Sequence, residues 1–190
     1  MVPPLNAVIT EAVRKVTGLS CKLVGAGMKT GMNIRMDDPK HIGSDLIVDS
    51  VAAKANYPLP IIVIDMGTAT SITALDQNGD YVGGIIHPGL RVSLNTLSGS
   101  TAQLPSIDLE SPGRALAKNT IEAMQSGILY GTAGMLDGII ARMEAELGSK
   151  ATIVATGGLA RFVTPLCAHR IEIDDLLLLK GLLILYRKNS

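Results

Sequence analysis

The sequence has no tryptophan, one phenylalanine and four tyrosines, too few rings to stack along a run of nucleic-acid bases. Seventeen Lys and Arg balance seventeen Asp and Glu to a formal net charge of zero, so no bulk field draws the chain to a polyanion or an anionic bilayer. Neither nucleic acid nor a membrane is an expected partner. The only cysteines, Cys21 and Cys167, lack the paired spacing of a zinc site. With no secretory leader in view, both are expected to be reduced and buried in a cytoplasmic protein. His41, His87 and His169 never fall at ligand spacing, and Cys167 with His169 makes only an isolated Cys-x-His, so no transition-metal site is expected. The most apolar run, residues 176–186, is broken by Lys180 and Gly181 and is too short to span a bilayer. There is no Gly-x-Ser-x-Gly elbow. The stretch Gly25-Ala26-Gly27-Met28-Lys29-Thr30-Gly31 fails Walker spacing and reads as an ordinary loop.

What is present is apolar patterning. With 190 residues, 47% of them hydrophobic, the chain can bury a real core. Pro3-Pro4 followed by Leu5, Val8, Ile9, Ala12, Val13 and Val16, with Gly18 beyond, predicts a helix. A second helix is expected over 42–56, closed by Tyr57-Pro58-Leu59-Pro60. Those prolines suggest a boundary between an incomplete N-terminal lobe, 1–58, and a C-terminal lobe, 59–190. Residues 61–64 read as a buried strand, 71–75 as its return, and Asn78-Gly79 as a hairpin turn into 81–86. Helices at 89–97, 119–147, 159–167 and 176–187 and strands at 151–155 and 170–173 complete the order β-β-β-α-α-β-α-β-α, that of an α/β ribonuclease-H-like lobe.

Gly127, Gly131, Gly134 and Gly138 form a continuous seam along the longest helix. Each glycine costs a helix interior roughly 1 kcal/mol relative to alanine, so the seam implies a close helix approach, either within the lobe or across a dimer. Periodicity does not separate the two.

Three segments carry the chemistry. Asp65-Met66-Gly67-Thr68, followed by Thr70, places a carboxylate, a bare backbone and two hydroxyls at the end of a buried strand. That set suits a cation and a phosphate, against the plainer reading that Asp65 only satisfies turn amides. Ala155-Thr156-Gly157-Gly158 leaves a second strand for a helix and can lie against a ring or a phosphate, although Gly-Gly after a strand is often mere turn chemistry. Asp45 and Asp49 share one helical face, where one of them can serve as a general base toward an alcohol. A solvated helix face is the plainer reading of that pair.

Ile42-Gly43-Ser44-Asp45, Ile64-Asp65-Met66-Gly67-Thr68-Ala69-Thr70, Gly83-Gly84-Ile85-Ile86-His87-Pro88-Gly89, Asn119 to Gly127 and Ala155-Thr156-Gly157-Gly158-Leu159, in that order, resemble type III pantothenate kinase, the Bvg accessory factor-like family. The resemblance implies an acetate and sugar kinase/Hsp70/actin fold with a three-strand antiparallel meander, and ATP-dependent phosphorylation of pantothenate to 4'-phosphopantothenate, in a homodimer. Position by position it makes Asp45 the catalytic base, and Gly43, Ser44, Asp45 and Leu46 the substrate-contacting stretch. Thr120 becomes a pantothenate contact from the partner subunit. Gly67 and Thr68 fall on the ATP phosphates, Gly157 and Gly158 on the adenosine side, and Asp65 on a monovalent cation, potassium or ammonium. Mg2+ is expected to accompany ATP.

Three departures stand against the resemblance. The family's opening strand with its Asp-x-Gly-Asn-Thr phosphate loop has no counterpart here, as truncation or a misplaced start would produce. Leu46 stands where the family has an arginine able to hold a carboxylate in two hydrogen bonds, and Met36 stands where a tyrosine is expected. These leave two alternatives: a non-catalytic dimeric nucleotide-binding or regulatory protein, or a kinase for another small alcohol.

Overall fold

A computed structural model describes residues 5–101 and 103–190. Strands β1 (Ile61–Met66), β2 (Ala69–Leu75) and β3 (Tyr81–Pro88) form an antiparallel meander, and β4 (Thr152–Thr156) and β5 (Glu172–Ile173) extend it on the other side. The sheet order is β3-β2-β1-β4-β5, with β4 parallel to β1 and β5 parallel to β4. The meander turns at Gly79, whose φ of 73° is the left-handed conformation that the Asn-Gly turn anticipates.

β1 is central, and residues 61–64 are apolar without alternation because both faces of the strand are covered. Ile61 and Val63 join a core with α2 (Ser44–Asn56) and α6 (Leu177–Lys188). Ile62, Ile64 and Met66 join the opposite core, under α4 (Thr120–Leu147) and α5 (Ala160–Val163). By this alternation Asp65 belongs to the face carrying α2. α2 and α6 cross so closely that a Cβ on Gly181 would lie 2.7 Å from Val48 Cγ1 and closer still to the Val48 carbonyl oxygen. The apparent flaw in the terminal apolar run is therefore the crossing point itself.

Most expected elements are present: α1 (Asn6–Thr17), ended by Gly18 in the left-handed conformation; α2; the meander; α3 (Leu90–Gly99); and α4, whose Asn119 side chain caps it by accepting from the Glu122 amide at 2.9 Å. Pro3 and Pro4 lie outside the described residues. The helix expected over 159–167 is instead α5 followed by a 3-10 turn, Thr164–Leu166. Pro165 has no N–H to continue the α-helical ladder. The strand expected over 170–173 shortens to two exposed residues at the sheet edge. Cys21 and Cys167 are free but only half-buried, which corrects the expectation of burial. Burial and the nearby Asp137 carboxylate push the Cys167 thiol up to about 12, making it an inert one.

The glycine seam faces away from the rest of the described chain. A Cβ on Gly127, Gly131 or Gly134 meets nothing within 4 Å, and one on Gly138 meets only Arg142 of the same helix. Among the described residues no helix packs closely on the seam. Among the described residues no helix is long and apolar enough to cross a membrane.

Candidate active site

Two turns meet at one end of the sheet. β1 runs parallel to β4 with Asp65 opposite Thr156, so the Asp65-Met66-Gly67-Thr68 turn and the Gly157-Gly158 turn leave neighbouring strands side by side. Gly157 has φ of 93°, and a Cβ there would stand 2.7 Å from the carbonyl carbon and oxygen of Met66. Only a glycine lets the second turn rest on the end of β1. The first turn is fixed from its other side: the Gly67 amide donates to Ala69 O at 3.0 Å, and the Gly89 amide donates to Thr68 O at 3.1 Å. A Cβ on Gly89 would land on the carbonyl oxygens of Gly67 and Thr68.

Between the two turns lies a cavity of about 350 Å³ lined by Met66, Gly67, Thr68, Arg91, Val92, Asn95, Gly158 and Leu159. A further cavity of about 390 Å³ shares Arg91, Asn95 and Leu159 with it. The pair gives a continuous lining with glycine backbone and a threonine hydroxyl at one place and a guanidinium at the junction. Sequence reading missed Arg91 and Asn95. Both follow the motif ending in Gly89, on the first turns of α3, and that position after a turn-closing glycine is the signal that could have found them.

On the α2 face the acidic residues gather. Gly43 is the N-cap residue of α2, and Asp45 lies in its first turn, accepting from the Leu46 amide at 3.1 Å. Asp49 follows one helical turn later and is only 2% exposed, and its Oδ1 has no hydrogen-bond partner. Burial pushes the Asp49 carboxyl up to about 7, reinforced by the charges of Asp65, Asp45 and Asp174. Burial also raises Asp65, helped by Asp45. The solvated-face reading of Asp45 and Asp49 therefore does not hold. Asp65 is half-buried, and among the described residues its carboxylate accepts no hydrogen bond; the turn amide that could have bound it is taken by Ala69 O. The reading of Asp65 as a turn-amide acceptor falls with it.

Gly43 and Leu46 also line an apolar cavity of about 180 Å³ with Met36, Ile42, Tyr81, Ile85 and Ile86. Its lining also carries the Asp38 carboxylate and the His41 imidazole, which face each other at 2.8 Å. Thr120 is the first residue of α4, exposed, and lines neither this cavity nor the two beside the glycine turns.

Turns of this composition at the ends of adjacent parallel strands, on this sheet, are the arrangement expected of a nucleotide-using phosphotransferase with the actin-like ATPase fold. Solved structures with the same fold include a conserved protein described as a Baf family transcriptional activator from Campylobacter jejuni (TM-score 0.57, 21% identity, covering 82% of this chain and 69% of that one). Another is the activator of the 2-hydroxyisocaproyl-CoA dehydratase from Clostridium difficile with bound ADPNP (TM-score 0.51, 18% identity, 95% and 80% covered). The sequence pattern of type III pantothenate kinases matches residues 1–142. Type III pantothenate kinases of Moorella thermoacetica and Syntrophus aciditrophicus are 44% and 42% identical over the whole of this chain, which spans 75% of each. The chain belongs to the type III pantothenate kinase family, enzymes that phosphorylate pantothenate in coenzyme A biosynthesis. A non-catalytic binding protein and a kinase for another alcohol are not favoured.

Proposed function

We propose that the chain transfers the γ-phosphoryl group of ATP to the primary hydroxyl of pantothenate, with Asp45 accepting the hydroxyl proton. The observation that carries this reading is the pairing of Asp65 with Thr156, which sets the two glycine turns around one cavity. ATP would lie with its phosphates at Gly67 and Thr68 and its adenosine toward Gly157 and Gly158, and Arg91 is placed to meet a phosphate oxygen. Gly43, Ser44, Asp45 and Leu46 would contact pantothenate. Phosphoryl transfer asks chiefly for alignment and charge neutralisation, and a carboxylate at the start of α2 serves as the base.

The residues fit a monovalent cation, potassium or ammonium, at Asp65: the carboxylate is half-buried, accepts no hydrogen bond among the described residues, and lies within the field of the Asp45 charge. When bound, that cation and the Mg2+ carried by ATP would offset negative charge beside the phosphates. The exposed glycine seam and the exposed Thr120 at the head of the same helix support a homodimer in which Thr120 serves the partner's pantothenate site. Two lobes divided near residue 58, and a cytoplasmic location, complete the reading.

The test is Asp45→Asn. Formation of 4'-phosphopantothenate should fall about 10²- to 10⁴-fold in kcat, with the KM for ATP little changed. Turnover at the wild-type rate would remove Asp45 from the base role.

A further inference from the structure

The cavity of about 180 Å³ at the start of α2 takes Gly43 and Leu46 from the proposed substrate stretch, yet Leu46, Ile42, Ile86 and Met36 give it apolar walls. Thr73 and Tyr81 add neutral hydroxyls, and Asp38 adds a negative charge. Pantothenate ends in a carboxylate, which is costly to bring against such walls without a partner of opposite charge. Among the described lining residues, His41 is the one whose side chain can present a positively charged N–H. Its Nδ1 faces Asp38 Oδ2 at 2.8 Å, which leaves Nε2 as the ring nitrogen for a ligand. His41 and Asp38 are exposed while Thr73 and Tyr81 are buried, so the pair stands on the solvent side of the cavity, open to an incoming molecule.

The sheet sets the distance from this cavity to the phosphate turn. Asp65 pairs with Ser71, and Ser71 pairs with Ile86, so Ile86 in the cavity wall lies two strands from Asp65, about 10 Å away. Residues paired across strands share a face, and this row lies on the face that carries α2. The phosphate turn begins at Asp65, so a hydroxyl about to receive a phosphoryl group belongs at that end of the row. Extended, pantothenate spans about 9–10 Å from its primary hydroxyl to its carboxylate. Its acid end therefore falls at the cavity when its hydroxyl is at the turn.

We propose that His41, steadied by Asp38, binds the carboxylate of pantothenate and sets the preference for the acid over neutral analogues of it. The inference rests on the reading of Gly43 to Leu46 as the pantothenate contact. The ring would lie between two carboxylates, donating Nδ1–H to Asp38 and Nε2–H to the substrate, while the apolar walls hold the short methylene arm that precedes the acid. Leu46 then packs against that arm and carries none of the charge recognition.

Calorimetric titration of the full chain, in the presence of a non-hydrolysable ATP analogue, with pantothenate and with its primary carboxamide tests the assignment. The carboxamide has nearly the same shape and no charge. Wild type should bind pantothenate about tenfold or more tightly than the carboxamide. His41→Gln should weaken pantothenate about tenfold or more and leave the carboxamide within about twofold of its wild-type affinity. His41→Arg keeps a positive donor and should keep the preference for the acid. A wall pushed out of shape weakens both ligands, whereas a lost charge contact weakens one. If His41→Gln leaves pantothenate affinity unchanged or weakens both ligands equally, or if wild type binds the two alike, the inference is wrong and the substrate reading stands. If wild type binds no pantothenate, the substrate reading fails and the inference with it.

Discussion

Asp174 shows how a single buried acid is settled when the chain itself supplies the partners. It is 6% exposed and accepts from Tyr57 Oη at 3.0 Å, Lys180 Nζ at 2.7 Å and the Leu176 amide at 3.1 Å. Burial alone would raise its carboxyl; the hydrogen bonds from Lys180, Tyr57 and Leu176 and the Lys180 charge outweigh burial and hold it below the usual carboxylate range. A carboxyl lowered on folding adds stability above its unfolded value, near 3.9, and that stability is lost as pH falls through the folded value. Asp174→Asn should therefore cost about 1–2 kcal/mol at pH 7, a figure kept modest because Lys180 is partly exposed, and the deficit should shrink below about pH 4. Urea titrations at pH 7 and pH 3.5 measure the difference, and an equal deficit at both would refute the ionic origin. Asp49, without any such partner, is shifted the opposite way. The two acids were equally visible in the sequence. What distinguishes them is three donors brought from the residue after α2, the loop before α6 and α6 itself, and no local pattern records that convergence.

The elements were legible where periodicity and punctuation agreed. Asn78-Gly79 marked the hairpin, and unbroken apolarity marked β1 as a buried strand. Spacing failed at residues 159–167, where Pro165 cut the helix short, and at β5, whose two residues are too few to show an alternation. It also placed Asp45 and Asp49 on one face of α2 without revealing that the face turns inward, since helical period gives relative direction only. The crossing of α2 and α6 makes the strongest prediction at this scale. Gly181→Ala puts a methyl group against the Val48 carbonyl, which is backbone and cannot swing aside. It should lower stability by about 1–3 kcal/mol despite the better helix propensity of alanine. A rise in the urea midpoint would show that the helices separate freely.

At the scale of the whole molecule, the exposed glycine seam of α4 can be questioned without disturbing the chain that carries it. Because a Cβ on Gly131 meets nothing within 4 Å, Gly131→Ala should stabilise an isolated chain by about 1 kcal/mol. If a second copy docks closely there, the same change should instead raise the dimer dissociation constant by about tenfold or more, because overpacking at a close crossing is destabilising. Sedimentation across a concentration series, with thermal melting at the lowest concentration, reads both quantities. A variant that is more stable yet dimerises unchanged would mean that copies do not meet along that seam.

The alternation of β1 has one more consequence. Because residues 61–64 are buried against both layers, hydrophobicity alone hardly distinguishes the strand from the same strand advanced by one position. Losing a single residue ahead of Asp65 would leave an apolar ribbon that still fills both layers, while sending the carboxylate into the greasy layer beneath α4. Insertions and deletions in residues 57–64 should thus be purged by selection far more strictly than exchanges among Ile, Val and Leu there. The acid is what tells the strand its reading frame.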